Sequence, residues 1–161
     1  MDARVEAVKR TLDLNTRLLL NALEGIDDEA ARRRFEGTNH VAFLACHLVD
    51  ARHYLARALG LPGESPFKDI LEGAKGIDDV KEFPGLEEIR AAWRDVSASL
   101  SSRVASMPGA DLDKPAPYAF PIEGGESVLG CLTFLVQHDS YHLGQVAFLR
   151  RALGLPAMAY R

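Results

Sequence analysis

An all-α four-helix bundle is the fold this sequence predicts, and three observations carry it. The eight prolines, at 62, 66, 84, 108, 115, 117, 121 and 156, leave three long stretches without any: 1–61, 85–107 and 122–155. Proline inside a helix removes a hydrogen bond and clashes with the preceding turn, so helices run where it is missing. Within those stretches apolar residues recur every three or four positions, the period of a helix that buries one face. Strand-like alternation is confined to Tyr118, Phe120 and Ile122, inside a Pro- and Gly-rich segment, 110–125, which supports at most a short extended piece.

The first long helix is placed at about 3–24. Asp2 caps it, Gly25 supplies a left-handed stop, and Val5, Val8, Leu12, Leu19, Ala22 and Leu23 form its inner stripe. A short helix follows at 28–35, capped by Asp27 and closed by Gly37. The second long helix runs from Thr38 or Asn39 to Leu59, before Gly60, with His40, Leu44, His47, Ala51, Tyr54 and Ala58 as its inner ridge. The third begins at Gly85-Leu86, where Glu87 and Glu88 favour the positive end of the helix dipole, and stops before Pro108-Gly109. Its stripe is Leu86, Ile89, Trp93, Val96, Leu100 and Val104. The fourth runs from Ser127 to Leu153, where Gly154 and Pro156 end it, with Cys131, Leu135, His138, His142, Gln145 and Leu149 inward.

Four such helices in a chain of 161 residues read as one bundle domain spanning 1–161. The link between the second and third long helices, 61–85, holds three prolines with Gly63, Gly73 and Gly76. Links between antiparallel neighbours are usually short. A helix 2–helix 3 crossover is therefore read here, and up-down-down-up is preferred to up-down-up-down.

Composition narrows the function. The chain is 47% hydrophobic and 26% charged, ordinary for a globular protein. Its net charge is −4, from 19 basic and 23 acidic residues mixed along the sequence, so there is no footprint for nucleic acid. Arg32-Arg33-Arg34 follows Asp27, Asp28 and Glu29, which suits a solvated helix with acids first and bases last. Cys46 and Cys131 sit among apolar residues and read as buried free thiols. Leu18-Leu19-Leu20 is too short for a signal-peptide core, and no apolar run reaches membrane-spanning length. No membrane association and a cytoplasmic location are expected.

The histidines are the chemical signal. His138 and His142 lie four apart, hence on one face of the fourth long helix, and His47 interrupts the apolar ridge of the second. Three imidazoles can hold a metal and leave a coordination position open. Spacing alone leaves two readings side by side, a shared metal and a hydrogen-bonded polar core. His40, seven residues from His47 or roughly 10 Å along the axis, is read as a surface residue at a helix start, and His53 as solvated. A ligating histidine usually donates its other ring N–H to a carboxylate or carbonyl. Asp50, Asp139 and Gln145 are the candidates for that support, with Asp50 read as solvated; Tyr54 and the long loops are candidates for pocket lining. Gly144, mid-helix, is read as leaving room for another helix or a substrate.

The run His138-Asp139-Ser140-Tyr141-His142-Leu143-Gly144-Gln145, followed by Leu149-Arg150 and Leu153-Gly154, resembles the C-terminal helix signature of the DinB/YfiT-like metalloenzymes. Asn39 to Leu59, with Cys46-His47-Leu48, resembles that family's second-helix motif. The resemblance implies an up-down-down-up bundle, commonly a homodimer, with a divalent nickel, zinc or iron ion on His47, His138 and His142. It also implies chemistry akin to the bacillithiol- or mycothiol-dependent S-transferases, or to a mycothiol-dependent isomerase, with a low-molecular-weight thiol as cosubstrate and a small-molecule substrate. Three functions follow as expectations: a metal-dependent thiol S-transferase in detoxification or stress response, a metal-dependent hydrolase with Asp139 as the strongest nearby base, and a non-catalytic metal-binding dimeric helical module.

Overall fold

Capping chemistry sets the helix starts in the computed structural model, which describes residues 2–74 and 76–160. Met1 and Arg161, the ends of the expected domain, and Lys75 of the long link lie outside the described residues. Asp2 accepts from the Arg4 N–H and opens α1 (Ala3–Leu23); Asp27 accepts from Ala30 N and opens α2 (Asp28–Arg32). The next helix, α3 (Val41–Ala58), starts later than its apolar pattern predicts, because the His40 ring accepts from the Phe43 N–H at 3.0 Å and takes the capping position itself. After α4 (Lys68–Leu71), α5 (Leu86–Ala105) has Gly85 at its start and no side-chain cap of its own. Asp28 supplies one from across the chain, accepting from Leu86 N at 2.7 Å. Finally Ser127 accepts from Gly130 N and opens α6 (Val128–Ala152).

The architecture is all-helical, with two short 3-10 turns at Ile77–Asp79 and Gly109–Asp113 and no strand among the described residues. The Pro- and Gly-rich segment contributes one isolated antiparallel bridge, from Pro115 to Ser127, and Tyr118, Phe120 and Ile122 take no part in it. The long helices pack around a ring: α1 lies against α5 and α6, and α3 against the same two. The long link is held down by Phe67, which is 1% exposed and joins the core. No helix of the described residues is long and apolar enough to cross a membrane.

The interior divides into two apolar clusters. One gathers Leu19, Leu23, Leu48, Val49, Ile89, Trp93, Leu143 and Val146; the other Val5, Leu12, Leu55, Leu100, Val104, Leu132 and Val136. Each long helix places one buried polar residue at the junction of the two groups: Asn15 on α1, Arg52 on α3, Ser97 on α5 and Asp139 on α6. The bundle is therefore two apolar halves separated by a polar layer.

That layer corrects the inward ridges read from the sequence. The most buried stripe of α3 is Ala45, Leu48, Arg52, Leu55 and Ala56, and that of α6 is Leu132, Val136, Asp139, Leu143, Val146 and Arg150. His47, His138 and His142 lie beside these stripes, half-buried at the seam between α3 and α6, while Leu44, Cys131, Leu135 and Leu149 of the expected ridges are buried. Gly144 meets no neighbour: a Cβ built there has nothing within 4 Å.

Candidate metal centre

Two helices supply the cluster. From α3, His47 reaches across the seam; from α6, His138 and His142 stack one turn apart on the facing side. The Nε2 atoms of His47 and His138 are 3.0 Å apart, and the ring centroids lie 4.9 Å (His47–His138), 4.8 Å (His47–His142) and 4.4 Å (His138–His142) from one another. One ligand nitrogen from each residue falls within 4.8 Å of the others, so the set could hold a single metal ion.

Burial makes these imidazoles good donors. It pushes His138 down to about 4, with the neighbouring His142 and His47 adding to the effect. His47 is lowered by burial and then by His142, against a smaller upward pull from Asp50. His142 is lowered by burial, with Gln145 opposing. Rings held below their ordinary value stay neutral near pH 7, with lone pairs free, as ligation requires.

The fit to a metal is testable on the surrounding atoms. Gln145 Oε1 lies 2.6 Å from His142 Nδ1, so the imidazole donates from Nδ1 and keeps its lone pair at Nε2. Phe43 stacks parallel to His47 at 6.3 Å. His138 Nδ1 is the one buried side-chain nitrogen or oxygen with no hydrogen-bond partner among the described residues. A 3.0 Å contact between two neutral ring nitrogens is met by a single shared proton. That proton leaves the third ring nitrogen of the cluster without a role, whereas one ion engages all three. The donor set fits a divalent metal.

The other candidates fall differently. Asp139 is not a partner of His138. It is 2% exposed and its Oδ2 accepts from Arg52 at 2.9 Å, while burial pushes its carboxyl up and Arg52 pulls it back. Asp50 makes no hydrogen bond to the cluster among the described residues. Tyr54 stacks on Tyr118 at 4.6 Å and meets Phe120 edge-on, packing the loop before α6. His40, expected at the surface, is 6% exposed and packs edge-on to Phe83 at 4.5 Å; His53 is half-buried. Both cysteines are buried and free, and burial raises their thiols to about 12 for Cys46 and about 11 for Cys131, so neither is a ready nucleophile.

A cleft of about 440 Å³ is lined by Thr38, Leu44, Tyr141, Gly144, Gln145 and Phe148 among others; none of the three histidines lines it, and Gln145, bonded to His142, joins it to the cluster. Gln145 thus touches the cluster on one side and the cleft on the other, and the room left by Gly144 belongs to this cleft. The residue that sequence reasoning missed is Arg52. Its signal was there: it continues the Leu48–Leu55 stripe at helical spacing, where a charged side chain needs a buried partner.

The sequence model of the DinB superfamily matches residues 11–146, which contain all three histidines, Gln145 and the Arg52–Asp139 pair. The chain belongs to the DinB superfamily. No protein of curated function matches it. For this DinB-superfamily chain the family assignment and the converging histidines agree, and they leave the reaction open.

Proposed function

We propose that this DinB-superfamily protein binds one divalent metal ion through His47, His138 and His142, and that it is a metal-dependent enzyme of the thiol S-transferase type. The convergence of three neutral imidazoles from two helices, within 4.8 Å, carries the reading. Nickel, zinc and iron all suit such nitrogen ligands. When bound, the ion acts as a Lewis acid that lowers the pKa of a thiol or water in its open position. The chain's own residues then have definite tasks. Gln145 holds His142 with its lone pair toward the cluster. Phe43 covers one face of His47. The cleft that Gln145 joins to the cluster offers apolar walls from Leu44 and Phe148, together with polar groups from Thr38 and Gln145, for a small substrate next to a low-molecular-weight thiol.

A thiol nucleophile is favoured over a hydrolytic water by one observation. The base proposed for hydrolysis, Asp139, is buried against Arg52 and unavailable. The rest of the reading is one domain, an up-down-down-up bundle, a cytoplasmic location and a homodimer. Thr16 meets Trp93 and Leu23 meets Arg90, pairing α1 with α5 in opposite directions. Asn15 meets Val136 and Ala22 meets Arg150, pairing α1 with α6 in the same direction. These pairings support the topology, and light scattering tests the dimer.

The deciding experiment is elemental analysis of the purified protein beside His142→Ala, followed by turnover of a model electrophile with and without added thiol. Stoichiometric metal in the parent, little in the variant and activity only with thiol are expected. Metal-free parent after reconstitution rejects the site; equal turnover in metal-stripped protein rejects the enzyme.

A further inference from the structure

Arg52 is 1% exposed, and all three of its guanidinium nitrogens donate hydrogen bonds inside the protein. Nε and Nη2 both reach Asp139 Oδ2 at 2.9 Å; Nη1 donates to Thr16 Oγ1 at 2.6 Å and to Ser97 Oγ at 2.5 Å; Nη2 donates to the Leu12 carbonyl at 3.2 Å. Its face lies 3.6 Å from the Trp93 ring centroid. One side chain on α3 therefore bonds to α1, α5 and α6 at once. Burial of this kind is not explained by stability: an ion pair removed from water gains little over well-packed apolar residues, and its best-attested use is to specify register.

What it specifies is visible in the sequence of α6. Asp139 is the only acidic residue between Val128 and Ala152. A slip of one residue would set His138 or Ser140 against Arg52, and a slip of one turn Leu135 or Leu143. Each leaves a guanidinium stranded between two apolar clusters. The helices so locked, α3 and α6, are the two that carry the histidines, five residues away at His47 and next door at His138. Ring nitrogens sit roughly 6 Å from the helix axis, so a rotation of about 10° moves them about 1 Å. Metal–ligand distances tolerate about 0.2 Å.

We propose that the Arg52–Asp139 pair is a positioning device for the histidine cluster, fixing the rotation and register of α6 on α3 that bring His138 and His142 to His47. This rests on the metal reading above, and its test separates the two. Cobalt(II) is titrated into the parent, into Arg52→Met/Asp139→Leu, which removes both charges and refills the space, and into Leu100→Ala, a truncation in the apolar cluster of Val5, Leu12 and Leu55. The double variant is expected to fold, to bind cobalt at least about tenfold more weakly, and to show a shifted ligand-field band. Leu100→Ala is expected to melt earlier with parent affinity and band. If the double variant does not fold, Arg52→Lys carries the same expectation, since a lysine keeps the charge but cannot span Asp139, Thr16 and Ser97 together. A folded double variant or Arg52→Lys with parent affinity and band overturns the proposal, as does equal weakening in Leu100→Ala. In either case the metal site itself stands. A parent that binds no cobalt overturns the metal reading and this inference with it.

Discussion

Replacing Gln145 by Met keeps the length of the side chain and deletes one contact, the 2.6 Å hydrogen bond to His142 Nδ1. Two losses follow for metal binding. The bond itself is worth about 1 kcal/mol in a half-buried setting. An imidazole released from it must be ordered again on ligation, at a further cost on the order of 0.5–1 kcal/mol. Together these weaken binding by about 10–30-fold. The assay is zinc competition against a chromophoric chelator at neutral pH, with the melting temperature of the metal-free proteins measured alongside. Gln145→Glu supplies a charged acceptor at the same place and is expected to match or exceed the parent. The reasoning is refuted if Gln145→Met binds zinc within twofold of the parent while His142→Ala does not bind.

Other expectations concern stability. Trp93→Phe removes the indole donation to the Thr16 carbonyl at 3.1 Å and thins the ring beneath Arg52. It should cost about 2–3 kcal/mol in urea unfolding, and a loss below 1 kcal/mol would contradict it. Two glycines of α6 should respond to alanine with opposite signs. A Cβ at Gly130 would overlap the Gly124 carbonyl oxygen, so Gly130→Ala should destabilise by about 1–3 kcal/mol. Gly144→Ala meets nothing and should stabilise by about 1 kcal/mol through helix propensity, and melts of the two variants decide it. The metal-free protein should lose stability as pH falls from about 6.5 towards about 4. In that window the unfolded chain protonates His138 while the folded one, whose ring is held at about 4, does not. Urea melts across the range that stay flat would disprove this, as would melts that steepen only above neutrality.

Most of the fold was legible because its signals are local. Asp2, Ser127, Gly25, Gly60 and Gly154 act on their own helix ends, and the proline-free stretches fixed the number of long helices. The convergence of His47, His138 and His142 was legible from spacing and family signature together. What stayed hidden was non-local. The start of α3 moved to Val41 because His40 caps it, which a propensity pattern does not reveal. The inward faces of α3 and α6 were read off by one residue, because histidine ridges flanked by Leu and Ala look as apolar as the stripes beside them. That shift left Arg52 unread and set Asp139 beside a histidine, when each of the two is buried against the other. The place of Arg52 on the Leu48–Leu55 stripe was visible in the sequence, but its pairing with a carboxylate 87 positions away was not.

The seam between α3 and α6 also sets an order of events. His47 and His138 are 91 positions apart, and α6 follows α3 and α5 in chain order. A growing polypeptide therefore completes α3 long before the residues that face it exist, with one of three ligands in hand. Any ion held by all three histidines is acquired only after α6 has been made. Loading of the proposed ion therefore waits on α6, and a truncated product lacking α6 keeps one of the three candidate ligands.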